Sequence, residues 1–535
     1  MTSAPPNGAL FTPDFPAGLP IGDGWVDAPS ETEVRFPYAG SLVARAPVGD
    51  VELAEQALDA ALAVRDTTAR LPSHVRRDAL FATREAIQAR RTEFEDLLVL
   101  ETGKPLVDCR VEVDRTLLTL QTAGEEVARL HGETVPLDLL PSGDGLLGFW
   151  TRRPIGVVIG IAGFNYPLLL ATHKLAPALA AGCPVIIKPA PQTPLATLWL
   201  VHLAREALAA AGAPVAAVQL VTGGLDVGAR LTTDPRIGAV SFTGSAAVGH
   251  QIARDAAPTK VLLELGSNAA LVVAQDADLD AAADAVVRGC YYASGQACIS
   301  VQRVIAVAPV REALVEKIAA RMDQVVTGDP RDERTRVSAL IDQRSADRVR
   351  AWVGEAVAAG ATAVHGGPDG DGSTGTGTAG AVVEPTLLTD VPDGQQAWDE
   401  EVFGPVVAVR SVPDLDSAID AVNASRYGLH VSIFTSSLHT AFDAIERIEA
   451  GGVVVNDVPG FRSDVMPYGG VKDSGTGREG QRFAIDELTV TRMAVIRPRT
   501  TPAATAAPAT TTTAASTTAG TTAEATAETA RTEQR

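Results

Sequence analysis

The sequence predicts an α/β protein with two parallel sheets, each covered by helices on both faces. Two observations carry that expectation. Across residues 154–264 apolar runs of strand length alternate with runs of helical periodicity, and the alternation resumes after Glu264 and continues to about Asn456. A strand that is apolar on both faces belongs to a parallel sheet, because crossover helices shield both sides from water. With 535 residues there is room for two to four domains, and 46% hydrophobic with 21% charged residues is a globular composition. The net charge of −20 argues against nucleic acid or an anionic membrane surface as partner. No apolar run is long enough to span a bilayer, and residues 1–22 lack a basic stretch followed by an apolar core, so the expected location is the cytoplasm.

Residues 1–30 are rich in Pro and Gly and read as an irregular arm, followed by β-like patches over 34–46. Helical spacing then covers 50–64, 72–90 and 91–102, and Gly103-Lys104-Pro105 stops the third helix: Gly takes the left-handed cap and Pro cannot continue. A long helix is expected over 107–130, and short strand-like pieces over 135–153. The first alternating series has strands at 156–161, 185–188, 218–222, 239–243 and 260–264, with helices at 166–181, 194–211, 227–232 and 248–257. The second has strands at 269–273, 303–307, 382–387, 405–412, 431–435 and 452–456, with helices at 280–292, 311–322, 345–358, 415–424 and 438–448. Residues 366–380 form a Gly/Ser/Thr loop. Residues 500–535, an Ala/Thr tract with almost no large apolar side chain, are expected to be disordered.

Four cysteines cannot form a disulfide framework for so long a chain, and none has the spacing of a zinc site. Three are ordinary candidates for packed core thiols; Cys290, on a helical face, is one of them. Cys298 differs because Gly295-Gln296-Ala297-Cys298 is a polar turn following a helix. Glu264 is a lone carboxylate closing an apolar strand. A thiol and a carboxylate are the minimum set for acyl-thioester chemistry, one attacking and the other activating water.

Where the strand Ala239–Thr243 meets Gly244 and Ser245 a helix opens with free N–H groups, which reads either as an ordinary strand–helix turn or as a phosphate cradle. The G-x-G-x-x-G string at 375–380 is rejected, because it has neither a strand before it nor a helix after it. No G-x-S-x-G elbow occurs, and Gly103-Lys104 is followed by Pro rather than Ser or Thr, which excludes serine-hydrolase and P-loop readings.

Glu264-Leu265-Gly266 and Gly295-Gln296-Ala297-Cys298 stand with Phe164-Asn165-Tyr166-Pro167, Lys188-Pro189-Ala190, Phe242-Thr243-Gly244-Ser245, Glu401-Val402-Phe403-Gly404-Pro405 and Pro467-Tyr468-Gly469-Gly470-Val471-Lys472. Together, and in that order, they resemble the signatures of the aldehyde dehydrogenase superfamily. The variant Gly266-Ser267-Asn268, with 457–470, is most similar to its lactaldehyde and non-phosphorylating glyceraldehyde-phosphate dehydrogenase branch.

The resemblance implies two Rossmann-like domains and a small β arm for oligomerisation. The cofactor-binding domain would be 1–131 with 152–265, the catalytic domain 266–460, and the bridging segments 132–151 and 461–499. It implies Cys298 as nucleophile, Asn165 as oxyanion donor, Glu264 as hydrolytic base, and Lys174 with Glu479 as a proton route to solvent. For NAD or NADP it implies Lys188, Gly244, Ser245, Glu401 and Phe403. Pro191 stands where a ribose-binding glutamate is common, which leaves both cofactors open. Arg462 falls on a substrate-mouth loop, where it would pair with an anionic aldehyde. No metal is implied, and a homodimer or homotetramer is. A coenzyme A-acylating relative and a non-catalytic homologue remain alternatives.

Overall fold

The computed structural model describes residues 9–368 and 380–498. Apart from Gly380, the rejected glycine string lies outside the described residues, as does the 500–535 tract. The chain divides into two compact units: Met1–Glu133 with Trp150–Arg492, and Thr134–Phe149 with the chain from Met493. The second unit includes a short helical turn at Pro141–Gly143 and exposes Leu139 and Leu140. Both large sheets lie in the first.

The first sheet has six strands in the order Gly475–Thr476, Lys260–Glu264, Ala239–Thr243, Val158–Ile161, Val185–Lys188, Val218–Leu220. All neighbours are parallel except the short first strand, which pairs antiparallel with Lys260–Glu264. The strand order reverses direction between Val158–Ile161 and its neighbours, so the carboxyl ends of Val158–Ile161 and Ala239–Thr243 open onto a crevice, the usual ligand position in such sheets.

The second sheet has seven strands in the order Thr362–His365, Thr386–Thr389, Val406–Val412, Arg303–Val307, Ala270–Val273, His430–Phe434, Gly452–Val455. Its two faces are both apolar, and the period of two shows why. Val406 and Ala408 point into one core with Ala270, Val272 and Ile305, while Val407 and Val409 point into the other with Leu271, Val273 and Val304.

Two expectations need correction. The strand expected at 382–387 begins only at Thr386, because Pro385 has no N–H for the ladder. The antiparallel edge strand Thr362–His365 was not expected; it is short and half exposed.

Helix starts are satisfied locally and at a distance. Asp50, Asp278, Asp342 and Asp414 accept N–H groups of their own first turns. Gly103 closes Arg91–Thr102 at φ +73°, as the Gly-Lys-Pro stop predicts. Two helices have no local cap and borrow buried carboxylates instead. Glu101 accepts from Leu195 and Ala196 at 2.9 and 3.0 Å. Glu112 accepts from Leu168 and Leu169 at 3.0 and 3.2 Å, at the start of Pro167–Ala181.

Candidate active site

Glu112 also fixes the first piece of the site. It pairs with the buried Lys104 ammonium, which donates to the Asn165 carbonyl at 2.7 Å and lies 3.7 Å from the Tyr166 ring centre. The loop entering Pro167–Ala181 is therefore pinned by charge from below. The Asn165 side chain then points across to the next loop, donating to the Gln296 carbonyl at 2.8 Å.

That next loop is a strained turn. Ala293, Ser294 and Gly295 have φ of 49°, 56° and 74°, a run of left-handed residues that non-glycine side chains resist. A Cβ on Gly295 would collide with the Gly404 carbonyl. Three polar contacts hold the turn: Asp108 accepts from Ala293 N–H at 2.9 Å, Ser294 Oγ accepts from Ser338 N–H at 2.9 Å, and Gln296 Oε1 accepts from Ile341 N–H at 2.9 Å. It delivers Cys298, half-buried, into a cleft of about 340 Å³ lined by Asn165, Glu264, Glu401, Phe403, Arg462 and Glu479 among others. Cys109, Cys183 and Cys290 are fully buried. Burial pushes the Cys298 thiol up to about 12, and the Tyr468 hydroxyl 3.2 Å from its sulfur opposes that.

Glu264 ends the strand Lys260–Glu264 inside the cleft, and its Oε2 is buried without a hydrogen-bond partner among the described residues. Burial first, and the neighbouring Glu479 second, hold its carboxyl well above the usual range. Glu479 accepts from Lys174 at 2.5 Å and Arg462 at 2.8 Å, and lies 3.1 Å from His173. Burial pushes Glu479 up as well, but Lys174, His173 and Arg462 outweigh it and hold the carboxyl well below its usual range. Lys174 donates a second bond to Thr243 at 2.6 Å.

Arg462 is not a solvated loop residue. Its side chain is 8% exposed, its guanidinium lies 3.8 Å from the Tyr468 ring centre, and its charge is shared between Glu479 and Asp464. Arg115, on the helix Leu106–Glu126, shares the cleft and grips Asp464 with two bonds of 3.0 and 2.8 Å. Sequence reasoning missed Arg115, Lys104 and Glu112, because nothing in a helical pattern marks which residue a distant loop will meet. Tyr468 was visible only as part of the Pro467-Tyr468-Gly469 motif.

The crevice also holds groups that could take a pyrophosphate. Ser245 precedes the ten-residue helix Ala246–Asp255 without spending its hydroxyl on a capping bond, so first-turn N–H groups and that hydroxyl remain for an anion. Lys188 ends its strand buried, and burial lowers its pKa while Asp226 opposes the shift. Glu401 accepts from Ser267 N–H at 2.8 Å, and a Cβ on Gly266 would collide with its carboxylate. Burial pushes Glu401 up to about 7. Phe403, at φ 50°, packs edge-on against Phe164 with centroids 5.7 Å apart. These residues fit a dinucleotide: a helix start for phosphates, a lysine at a strand end for the adenine side, and a carboxylate for ribose hydroxyls on the catalytic side. Among the described residues no cluster of His, Cys, Asp and Glu could hold a metal ion.

Residues 25–494 match the model of the aldehyde dehydrogenase family. The chain is 38% identical over 480 residues to a 3-sulfolactaldehyde dehydrogenase of Priestia megaterium, covering 90% of this chain and 98% of that one. Among solved structures it is similar to aldehyde dehydrogenase 21 of Physcomitrella patens in complex with the reaction product succinate, at TM-score 0.85 and 35% identity over 91% of this chain and 99% of that one. It is also similar to the glyceraldehyde-3-phosphate dehydrogenase GapN of Methanocaldococcus jannaschii complexed with NADP, at TM-score 0.83 and 32% identity over 88% and 100%. The chain thus belongs to the aldehyde dehydrogenase family, within the branch of lactaldehyde and GapN-type enzymes, and is an NAD(P)-dependent aldehyde dehydrogenase.

Proposed function

We propose that the enzyme oxidises a small anionic aldehyde to its carboxylic acid through an acyl group carried on Cys298. The observation that carries the reading is one cleft holding a thiol, an unpartnered glutamate and an amide donor. Cys298, ionised by loss of its proton to a base, attacks the carbonyl carbon and makes a thiohemiacetal. One hydrogen of Asn165 Nδ2 is spent on Gln296, which leaves the second for the developing oxyanion, beside the Cys298 N–H. Such a donor contributes roughly 3–4 kcal/mol to the barrier. Lys188, Ser245 and Glu401 would hold NAD(P), which when bound would supply the hydride acceptor that turns the thiohemiacetal on Cys298 into a thioester.

Glu264 takes a proton from water, whose oxygen attacks the thioester carbon; the acid leaves and Cys298 is regenerated. A carboxylate with a raised pKa suits this step, since a general base works best when its pKa lies near the working pH. Lys174 and Glu479, an ion pair whose charges act on Glu264, lie on the route by which that proton would pass to solvent.

Support for an anionic substrate comes from two guanidinium groups that line the cleft, Arg115 and Arg462, the first paired with Asp464 and the second with Glu479. The related enzymes act on sulfolactaldehyde or hold succinate, and both molecules are anionic. The presence of Glu264 favours hydrolysis over transfer to coenzyme A. A panel of aldehydes with NAD and NADP, with and without coenzyme A, tests both points. The reading expects carboxylic acid without coenzyme A and the highest kcat/KM for anionic substrates. It fails if product requires coenzyme A or if neutral aldehydes of equal length are preferred.

The setting of a reactive thiol among four free cysteines favours the reducing cytoplasm. Assembly of two or four copies is favoured by an exposed stripe of Leu438, Phe442 and Ile445 on one helix, and sedimentation velocity tests it. No helix among the described residues is long and apolar enough to cross a membrane.

A further inference from the structure

We propose that Tyr468 is a catalytic residue of this enzyme, whose hydroxyl donates a hydrogen bond to the Cys298 sulfur and holds it in its ionised state. The proposal rests on the reading of Cys298 as nucleophile. The hydroxyl lies 3.2 Å from the sulfur, and it enters no other hydrogen bond among the described residues. The phenol is 2% exposed and held on two sides. Arg462 stacks on its ring at 3.8 Å, and the His430 ring packs against it with centroids 4.9 Å apart. Its backbone is locked to Glu479 by two bonds of 3.0 and 2.6 Å. Among the described residues the sulfur makes no other side-chain hydrogen bond, and Ile299, Leu429 and Met466 pack in the same apolar cluster.

The direction of the bond follows from proton counting. A neutral thiol has one hydrogen and could donate to the phenol oxygen. A thiolate has none, so only the tyrosine O–H can donate, and a bond to a charged acceptor is roughly twice as strong as one between neutral groups. The donor keeps its proton: burial and the adjacent Cys298 hold the phenol well above its usual range. The other groups facing the sulfur are Glu401, Glu264, Arg462 and Tyr292. The two glutamates oppose a negative sulfur and Arg462 favours it. Both glutamates are themselves pushed toward neutrality by burial, which removes part of their opposition. Among the described residues Tyr468 is the side chain that combines direct contact with the sulfur and a proton to give.

The test is alkylation of the full-length protein without cofactor, comparing the parent with Tyr468→Phe, which removes one oxygen atom. Hydroxide takes the thiol proton, the sulfur displaces iodide from iodoacetamide, and the Cys298 peptide gains a carbamidomethyl group readable by mass. Below the thiol midpoint the rate follows the ionised fraction. A rise of about one pH unit in that midpoint, partly offset by the greater nucleophilicity of a more basic thiolate, lowers the rate three- to tenfold. The expected result is a three- to tenfold slower reaction of Tyr468→Phe at each pH from 7 to 9. An equal rate overturns the proposal. A faster rate also overturns it, since the phenol would then have been accepting from S–H and favouring the neutral thiol. Misfolded molecules alkylate in a separate fast phase, so the slow phase reports the folded site alone. In the same samples the activity of the parent should fall in step with modification of Cys298. If activity survived complete modification, the nucleophile reading would fail whatever the Tyr468→Phe rate.

Discussion

Two corners of one cleft hold a glutamate each, and the two end in opposite states. Glu264 and Glu479 are buried to the same degree, 8% and 7% exposed. Desolvation alone pushes both toward the neutral acid. At the Glu479 corner two cations within hydrogen-bond reach and His173 at 3.1 Å reverse that push. At the Glu264 corner one oxygen has no partner, and the ionised Glu479 adds to the shift. The partners, not the burial, separate a resident ion-pair carboxylate from a base that can gain and lose a proton.

The largest effect is expected from breaking the Glu264 corner. Glu264→Gln keeps shape and removes the base, so kcat should fall by about 10²–10⁴ while the first, rapid turnover per site survives. Stopped-flow absorbance of the reduced cofactor separates the two phases. A third buried carboxylate extends the comparison, because Glu112 is fully buried and, among the described residues, balanced by the single side-chain cation Lys104. Lys104→Met strands that charge, and thermal or denaturant unfolding should show a loss of about 3–5 kcal/mol. A loss under 1 kcal/mol would mean that Glu112 is content with the Leu168 and Leu169 N–H groups.

Smaller effects sharpen the contrast. Lys188→Ala touches neither corner and should raise KM for NADP about tenfold, a tenfold change being about 1.4 kcal/mol, with kcat nearly unchanged at saturation. The smallest effect is a shift in pH dependence. Glu264 must be ionised to act, so the acid limb of kcat lies above the ordinary carboxylate range and activity rises with pH through it. Lys174 lowers the Glu264 pKa. Lys174→Met should therefore move the limb to higher pH, by less than about one unit, read from kcat measured between pH 5 and 9.

Much of the framework was legible because burial on both faces leaves a plain trace. The strands Val185–Lys188, Ala239–Thr243, Lys260–Glu264 and Arg303–Val307 have the expected limits residue for residue. The strand at 382–387 was misread because Val382 and Val383 are buried in apolar cores without joining the ladder, which begins at Thr386. At the site, Cys298, Glu264 and Asn165 stand in short motifs whose chemistry is local. The balance of charge around them is not local. It is set by Lys104, from the turn between two early helices, by Arg115 on the second of them, and by Arg462, which the fold buries against Glu479 and Asp464. Sequence spacing carries no information about which of these cations meets which carboxylate.

The central claim is that Glu264 releases an acyl group from Cys298, and mass spectrometry tests it most directly. Glu264→Gln would be mixed with an aldehyde and NAD(P), quenched in acid and digested. An acyl adduct on the Cys298 peptide, approaching one per site and absent from the parent at steady state, is the predicted result. An unmodified Cys298 peptide during continued turnover would contradict it.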